Sequence, residues 1–101
     1  MSSGLSPAEV DIICHAAKKL MSVREVVLFG SRAKGTFSTG SDVDLAVKGC
    51  STDDAIRLSS ILNEETTLPY FFDVVVYETI QSRDLIEHID RVGMKIYEKQ
   101  Q

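Results

Sequence analysis

Two aspartates stand two residues apart in the run Asp42-Val43-Asp44-Leu45-Ala46-Val47-Lys48, whose alternation of apolar and polar positions predicts a half-buried strand. Residues i and i+2 of a strand point to one face, with Cα atoms about 6.6 Å apart. Carboxylates so placed repel each other unless a cation sits between them or one of them keeps its proton. A third acid, Asp73, interrupts the otherwise apolar run Phe71 to Tyr77. Three aspartates on neighbouring strands make a hard-oxygen donor set suited to Mg²⁺, which completes its shell with water and substrate phosphates. Two such ions about 3.5–4 Å apart would clamp the attacking and leaving oxygens of a phosphoryl displacement.

A phosphate-binding counterpart lies upstream in Phe29-Gly30-Ser31-Arg32-Ala33-Lys34-Gly35. Gly30 leaves room for a phosphate to approach the backbone. The Ser31 hydroxyl and the N–H groups of the following helical turn can donate to phosphate oxygens. Arg32 and Lys34 bring positive charge to the same stretch.

The elements that must position these groups are legible in the pattern. Ser6, Pro7 and Glu9 supply an N-cap, an N1 proline and a capping-box partner, and Val10, Ile13, Ala17, Leu20 and Met21 continue at helical spacing to about Leu20. The continuous apolar run Val26 to Phe29 predicts a strand buried on both faces. A short turn and loop cover 31–40. The strand 42–48 follows, with Val43, Leu45 and Val47 on one face and Asp42, Asp44, Ala46 and Lys48 on the other. Ser51 or Thr52 caps a helix with the stripe Ala55, Leu58, Ile61 and Leu62, which ends near Glu65 before Pro69. After the strand Phe71–Tyr77, a helix from about Ser82 carries Leu85, Ile86, Ile89 and Val92, stops at Gly93 and leads into an extended piece, Met94 to Tyr97. The order α-β-turn-β-α-β-α-β implies an α/β (α+β) domain, a mixed sheet with helices on one face. Residues 1–5 read as a disordered tail and 6–101 as one domain.

Composition narrows the function. A chain of 101 residues, 44 % hydrophobic and 26 % charged, has material for one small core. Eleven Lys and Arg against fifteen Asp and Glu give a net charge of −4, without the basic footprint that direct nucleic-acid binding requires. No stretch approaches the roughly 20 apolar residues of a membrane span, and the N-terminus lacks the shape of a signal peptide. Cys14 and Cys50 form neither a disulfide framework nor a metal-ligand spacing, so both read as inert and the expected location is the reducing cytoplasm. His15 and His88 fall on predicted helices without partners at ligand spacing and read as surface residues. Tyr70, Phe71 and Phe72 read as core aromatics. Phe71, Val75 and Tyr77 share the face of Asp73, leaving apolar surface there for a nucleobase or another protein unless the chain's own helices cover it.

Gly30-Ser31, ten intervening residues, Asp42-Val43-Asp44-Leu45 and the later Phe72-Asp73-Val74 together resemble the minimal nucleotidyltransferases of the DNA polymerase beta-like superfamily. Arg32, Gly35 and Ser41 fit the fuller pattern G-S-x-A-x-G…S-D-x-D-L, and the similarity spans nearly the whole chain. It implies Mg²⁺-dependent transfer of a nucleoside monophosphate, AMP in the first instance, from ATP or another NTP to an acceptor hydroxyl, with release of pyrophosphate. By position, Asp42 and Asp44 bind both metals, and Asp73 completes the site of the acceptor-activating ion and serves as its general base. Gly30 and Ser31 hold the triphosphate, with Arg32 and Ser41 in the same phosphate-binding set.

Larger members of that superfamily carry domains that read the base and hold the acceptor, for which this length leaves no room. The acceptor must come from a partner or from a second copy in a homo-oligomer. Minimal members are commonly paired with all-helical HEPN-type proteins, and in several pairs the enzyme is an antitoxin that adenylylates a tyrosine of a ribonuclease toxin. The resemblance thus implies a protein adenylyltransferase of a toxin–antitoxin system. Two other functions fit the same residues: a binding module that neutralises a helical partner by contact alone, and a nucleotidyltransferase acting on a small molecule.

Overall fold

Each of the three long helices starts on a serine that answers the unpaired N–H groups of its first turn. The computed structural model describes residues 3–38 and 40–100. In α1 (Pro7–Lys18) the Ser6 Oγ accepts from the Glu9 N–H at 3.1 Å and the Glu9 carboxylate accepts from the Ser6 N–H at 2.9 Å, the reciprocal capping box. After β1 (Glu25–Phe29), the four-residue α2 (Ser31–Lys34) and β2 (Val43–Lys48), α3 (Thr52–Glu64) is capped by Ser51. A short 3-10 turn, Tyr77–Thr79, follows β3 (Phe72–Val76), and Ser82 caps α4 (Arg83–Val92) ahead of β4 (Met94–Glu98).

The sheet order is β3-β2-β1-β4, with β1 antiparallel to both β2 and β4, and β2 parallel to β3. This is a mixed four-stranded α+β sheet in which α3 is the crossover of a βαβ unit. The apolar stripes predicted for α1 and α3 lie against one sheet face: Ile13, Ala17, Leu58, Ile61 and Leu62 pack with Val26, Leu28, Val43, Leu45, Val47 and Phe72. Met21 of the expected α1 stripe falls beyond the helix end and is 86 % exposed.

Helix α4 departs from the one-face arrangement. Its Leu85 and Ile89 pack against Val27, Phe29, Ala46 and Val75, which point away from α1 and α3. The reason is already in β1, whose consecutive apolar residues project to both faces and need cover on both. Gly93 at the end of α4 permits the approach, since a Cβ there would lie 2.6 Å from a Val27 methyl.

The expected tail 1–5 falls partly outside the described residues, at Met1 and Ser2. Within them, Leu5 packs on the core and the Ser3 carbonyl accepts from Arg32. Among the described residues, no helix is long and apolar enough to cross a membrane.

Candidate functional site

One end of the sheet gathers the residues singled out by chemistry. There β1 finishes and β2 and β3 begin, and the strand register sets Phe29, Asp44 and Asp73 in one row. Asp44 is the second residue of β2 and Asp73 the second of β3, so the pleat turns both carboxylates to the α4 face. Asp42 lies one residue ahead of β2, exposed, two positions before Asp44. Helix α4 covers the middle of this face through Ala46 and Val75 and leaves the carboxylate row open.

Asp44 registers the crowding. Burial, then the carboxylate of Asp73, then that of Asp42 push its pKa above the usual carboxylate value. None of the three aspartates is in an ion pair with Lys or Arg among the described residues. The three are nevertheless not a closed cage: among the described residues, no three His, Cys, Asp or Glu side chains are gathered closely enough to hold one metal ion as they stand. The donor chemistry fits Mg²⁺, since these are acidic oxygens that feel one another and lack a neutralising cation. Asp42 and Asp73 are exposed and Asp44 is half-buried.

The turn after β1 is built around Gly30, whose backbone (φ 78°, ψ −156°) lies in a region open essentially only to glycine. A Cβ on Gly30 would lie 3.1 Å from Asp44 Cγ and closer still to Oδ2. The missing side chain is therefore required first by the Asp44 carboxylate packed against the turn, beyond any approach of a phosphate. Ser31 follows at the first position of α2, half-buried, with the first-turn N–H groups that a helix cannot pair internally.

Arg32 and Ser41 have a different placement from the phosphate-binding one expected. Arg32 is 3 % exposed; its Nε and Nη2 donate to the Ser41 carbonyl at 3.2 and 2.9 Å, and its Nη1 donates to the Ser3 carbonyl at 3.0 Å. The guanidinium also lies over the rings of Phe37 and Tyr70, at 5.0 and 4.6 Å from their centroids. Beyond Tyr70, whose hydroxyl donates to Glu9, that carboxylate supplies the opposing charge. Burial explains the change: a guanidinium withdrawn from water needs carbonyls and aromatic faces around it. Ser41 Oγ accepts from the Ser38 N–H at 2.9 Å, closing the loop just before Asp42. Arg32 and Ser41 thus brace the loop that carries Asp42, and Lys34 is exposed.

The apolar face beside Asp73 is mostly covered. Val75 and Tyr77 pack under Leu85 and Ile89, and the Tyr77 hydroxyl donates to Asp90 at 2.7 Å. Only Phe71 of that trio stays open, 60 % exposed, so it is not the core aromatic expected from its neighbours. His88 was missed by sequence reasoning. It is half-buried, its Nε2 accepts from the Gly30 N–H at 3.0 Å, and its ring meets Phe29 edge-on at 6.1 Å. Its position, three after Leu85 and one before Ile89, lies on the margin of the α4 apolar stripe and was the available signal.

Comparison with known proteins agrees with this geometry. A family model described as polymerase beta, nucleotidyltransferase matches residues 11–101. Among solved structures, a toxin–antitoxin crystal structure with AMP-PNP is similar with TM-score 0.72 and 22 % identity, over 90 % of this chain and 74 % of that one. Two mutant structures of the MntA–HpeT toxin–antitoxin pair are similar with TM-scores 0.71 and 0.67 and identities of 20 % and 21 %, over 90 % and 95 % of this chain and 74 % and 75 % of theirs. At these identities the likeness is one of fold. Comparison with curated proteins gives no match.

Proposed function

Because the chain belongs to the polymerase-beta nucleotidyltransferase family, we propose that it transfers a nucleoside monophosphate, AMP in the first instance, from an NTP to a hydroxyl of a partner protein. The observation that carries this reading is the row of Asp44 and Asp73 beside the Gly30-Ser31 turn, with Asp42 at its edge.

Asp42, Asp44 and Asp73 are the residues that would hold Mg²⁺, which when bound neutralises phosphate charge and lowers the pKa of a coordinated hydroxyl. The Gly30-Ser31 turn sits on the β1 side of Asp44 and would receive the triphosphate, with the Ser31 hydroxyl and the first N–H groups of α2 donating to its oxygens. On the other side of Asp44, Asp73 lies on the edge strand, where an acceptor hydroxyl can reach it from outside. Asp73 would take the acceptor proton. The acceptor oxygen then bonds to the α-phosphorus, the bond from that phosphorus to the bridging oxygen breaks, and pyrophosphate leaves. The protein's part is positioning and charge compensation.

The fold likeness to toxin–antitoxin structures supports a toxin as the acceptor, and the resemblance of the Gly30-Ser31 and Asp42-Val43-Asp44 pattern to minimal nucleotidyltransferases supports an all-helical, HEPN-type one. The test is transfer of label from α-phosphate-labelled ATP, with Mg²⁺, onto a short helical protein encoded beside this one. Asp42→Asn or Asp44→Asn should lower labelling at least about 100-fold with the fold retained. Neutralisation of the toxin in cells that survives both substitutions would instead establish a module acting by contact alone.

A further inference from the structure

The sheet end described above has one contact that the three-carboxylate chemistry does not use: a ring nitrogen of α4 holds the first N–H of the nucleotide-side turn. His88 Nε2 accepts from the Gly30 N–H at 3.0 Å, across 58 residues of sequence. An accepting Nε2 leaves the ring proton on Nδ1. The ring is seated by Phe29, which it meets at an interplanar angle of 79°, and α4 is held on the same face by Leu85, Ile89 and the Tyr77 hydroxyl bond to Asp90. The accepting atom therefore belongs to a packed element.

Gly30 is the point at which this matters. Its glycine-only backbone conformation aims the following residues, and glycine has the most freedom to leave such a conformation. A hydrogen bond on its N–H restrains that freedom from one side, while the Asp44 carboxylate packed against its Cα restrains it from the other. The bond also removes the Gly30 N–H from the donors open to a phosphate, leaving Ser31 and the N–H groups after it. We infer that His88 is a positioning residue for the nucleotide: through its bond to Gly30 it fixes the Gly30-Ser31 turn in the geometry that receives the triphosphate. This rests on the function proposed above, in which that turn is the nucleotide side of the site.

The experiment compares His88→Leu, which keeps apolar bulk without an acceptor, with His88→Gln, whose amide oxygen reaches the position of Nε2. Tyr77→Phe, which loosens the seat of α4 without touching Gly30, is the control. In the full chain, hydrogen exchange of the Gly30 amide should accelerate about tenfold in His88→Leu and return toward wild type in His88→Gln. The Kd for MgATP should follow the same order, about tenfold weaker in His88→Leu and recovered in His88→Gln. Tyr77→Phe should lower the melting temperature with little change in either quantity. Wild-type exchange and affinity in His88→Leu, a His88→Gln variant as weak as His88→Leu, or a Tyr77→Phe variant equally impaired in affinity would each overturn the assignment. If the wild-type protein binds no MgATP, the nucleotide role fails with the proposed function, whereas Gly30 exchange still decides whether His88 holds the turn.

Discussion

Replacing Gly30 by alanine puts two independent penalties on the same atom. The first is conformational: φ 78° with ψ −156° is open essentially to glycine alone, and holding a residue with a Cβ there costs about 1–3 kcal/mol. In a domain of about 100 residues each kcal/mol lowers the melting temperature by roughly 4–8 °C, so strain alone predicts a fall of about 4–24 °C. The second penalty is steric, since the new Cβ would overlap the Asp44 carboxylate, with Cγ 3.1 Å away, and either the turn or Asp44 must move. Gly40→Ala isolates the first penalty, because Gly40 also has a positive φ of 85° but nothing within 4 Å of a Cβ. Denaturant melts of Gly30→Ala, Gly40→Ala, Asp44→Ala and the Gly30→Ala/Asp44→Ala pair measure both. Gly30→Ala should lose more stability than Gly40→Ala and should also lose MgATP binding. The double variant should recover about 1 kcal/mol or more relative to the sum of the singles, because the obstructing carboxylate is gone. Additivity within about 0.5 kcal/mol, or a Gly30→Ala variant no worse than Gly40→Ala, would refute the packing of Asp44 on the turn.

Asp44→Asn should raise the melting temperature in metal-free buffer near neutral pH. The folded Asp44 pKa lies above its ordinary value of 3.8, so between those two values the native chain binds more protons than the unfolded one and stability falls as pH rises. Melts in chelator across that range should lose this decline in the variant, and an equal or lower melting point at neutral pH would count against crowded carboxylates. Glu9 has the opposite sign: the Ser6 backbone N–H, foremost, holds its pKa below 4.5, outweighing desolvation, and Tyr70 adds to the lowering. Its stabilisation is present above 4.5 and lost as pH falls through the folded value, so Glu9→Gln should flatten the acid limb of the stability profile. Arg32→Met should cost about 2–4 kcal/mol, since it removes a buried guanidinium and strips three donors from the half-buried Ser3 and Ser41 carbonyls. An unchanged melting curve for Arg32→Met would mean that the brace is not structural.

Much of this protein follows from short-range chemistry that a sequence carries openly. Ser6-Pro7-Ala8-Glu9 makes a helix start because the capping groups are three residues apart, and the observed bonds are the expected ones. The alternation in 43–48 sets Val43, Leu45 and Val47 on one face and Asp44 and Ala46 on the other because the pleat has a period of two, whatever the surrounding fold, while Asp42 lies one residue ahead of the strand. The Gly-Ser turn follows β1, and the strand register brings it to the same end of the sheet as Asp44 and Asp73.

Contacts between distant elements were not legible in that way. Nothing local distinguishes a loop arginine that faces a ligand from one withdrawn between Phe37 and Tyr70, and tertiary packing made Arg32 the second kind. The face chosen by α4 partly covered Val75 and Tyr77, left Phe71 open, and brought His88 to Gly30. Sequence alone determined which residues share a face and where turns fall, because backbone periodicity and capping act over a few residues. Only the tertiary structure decided which polar groups are spent on one another, because a hydrogen bond or a buried charge is satisfied by whatever the folded chain brings within about 3 Å.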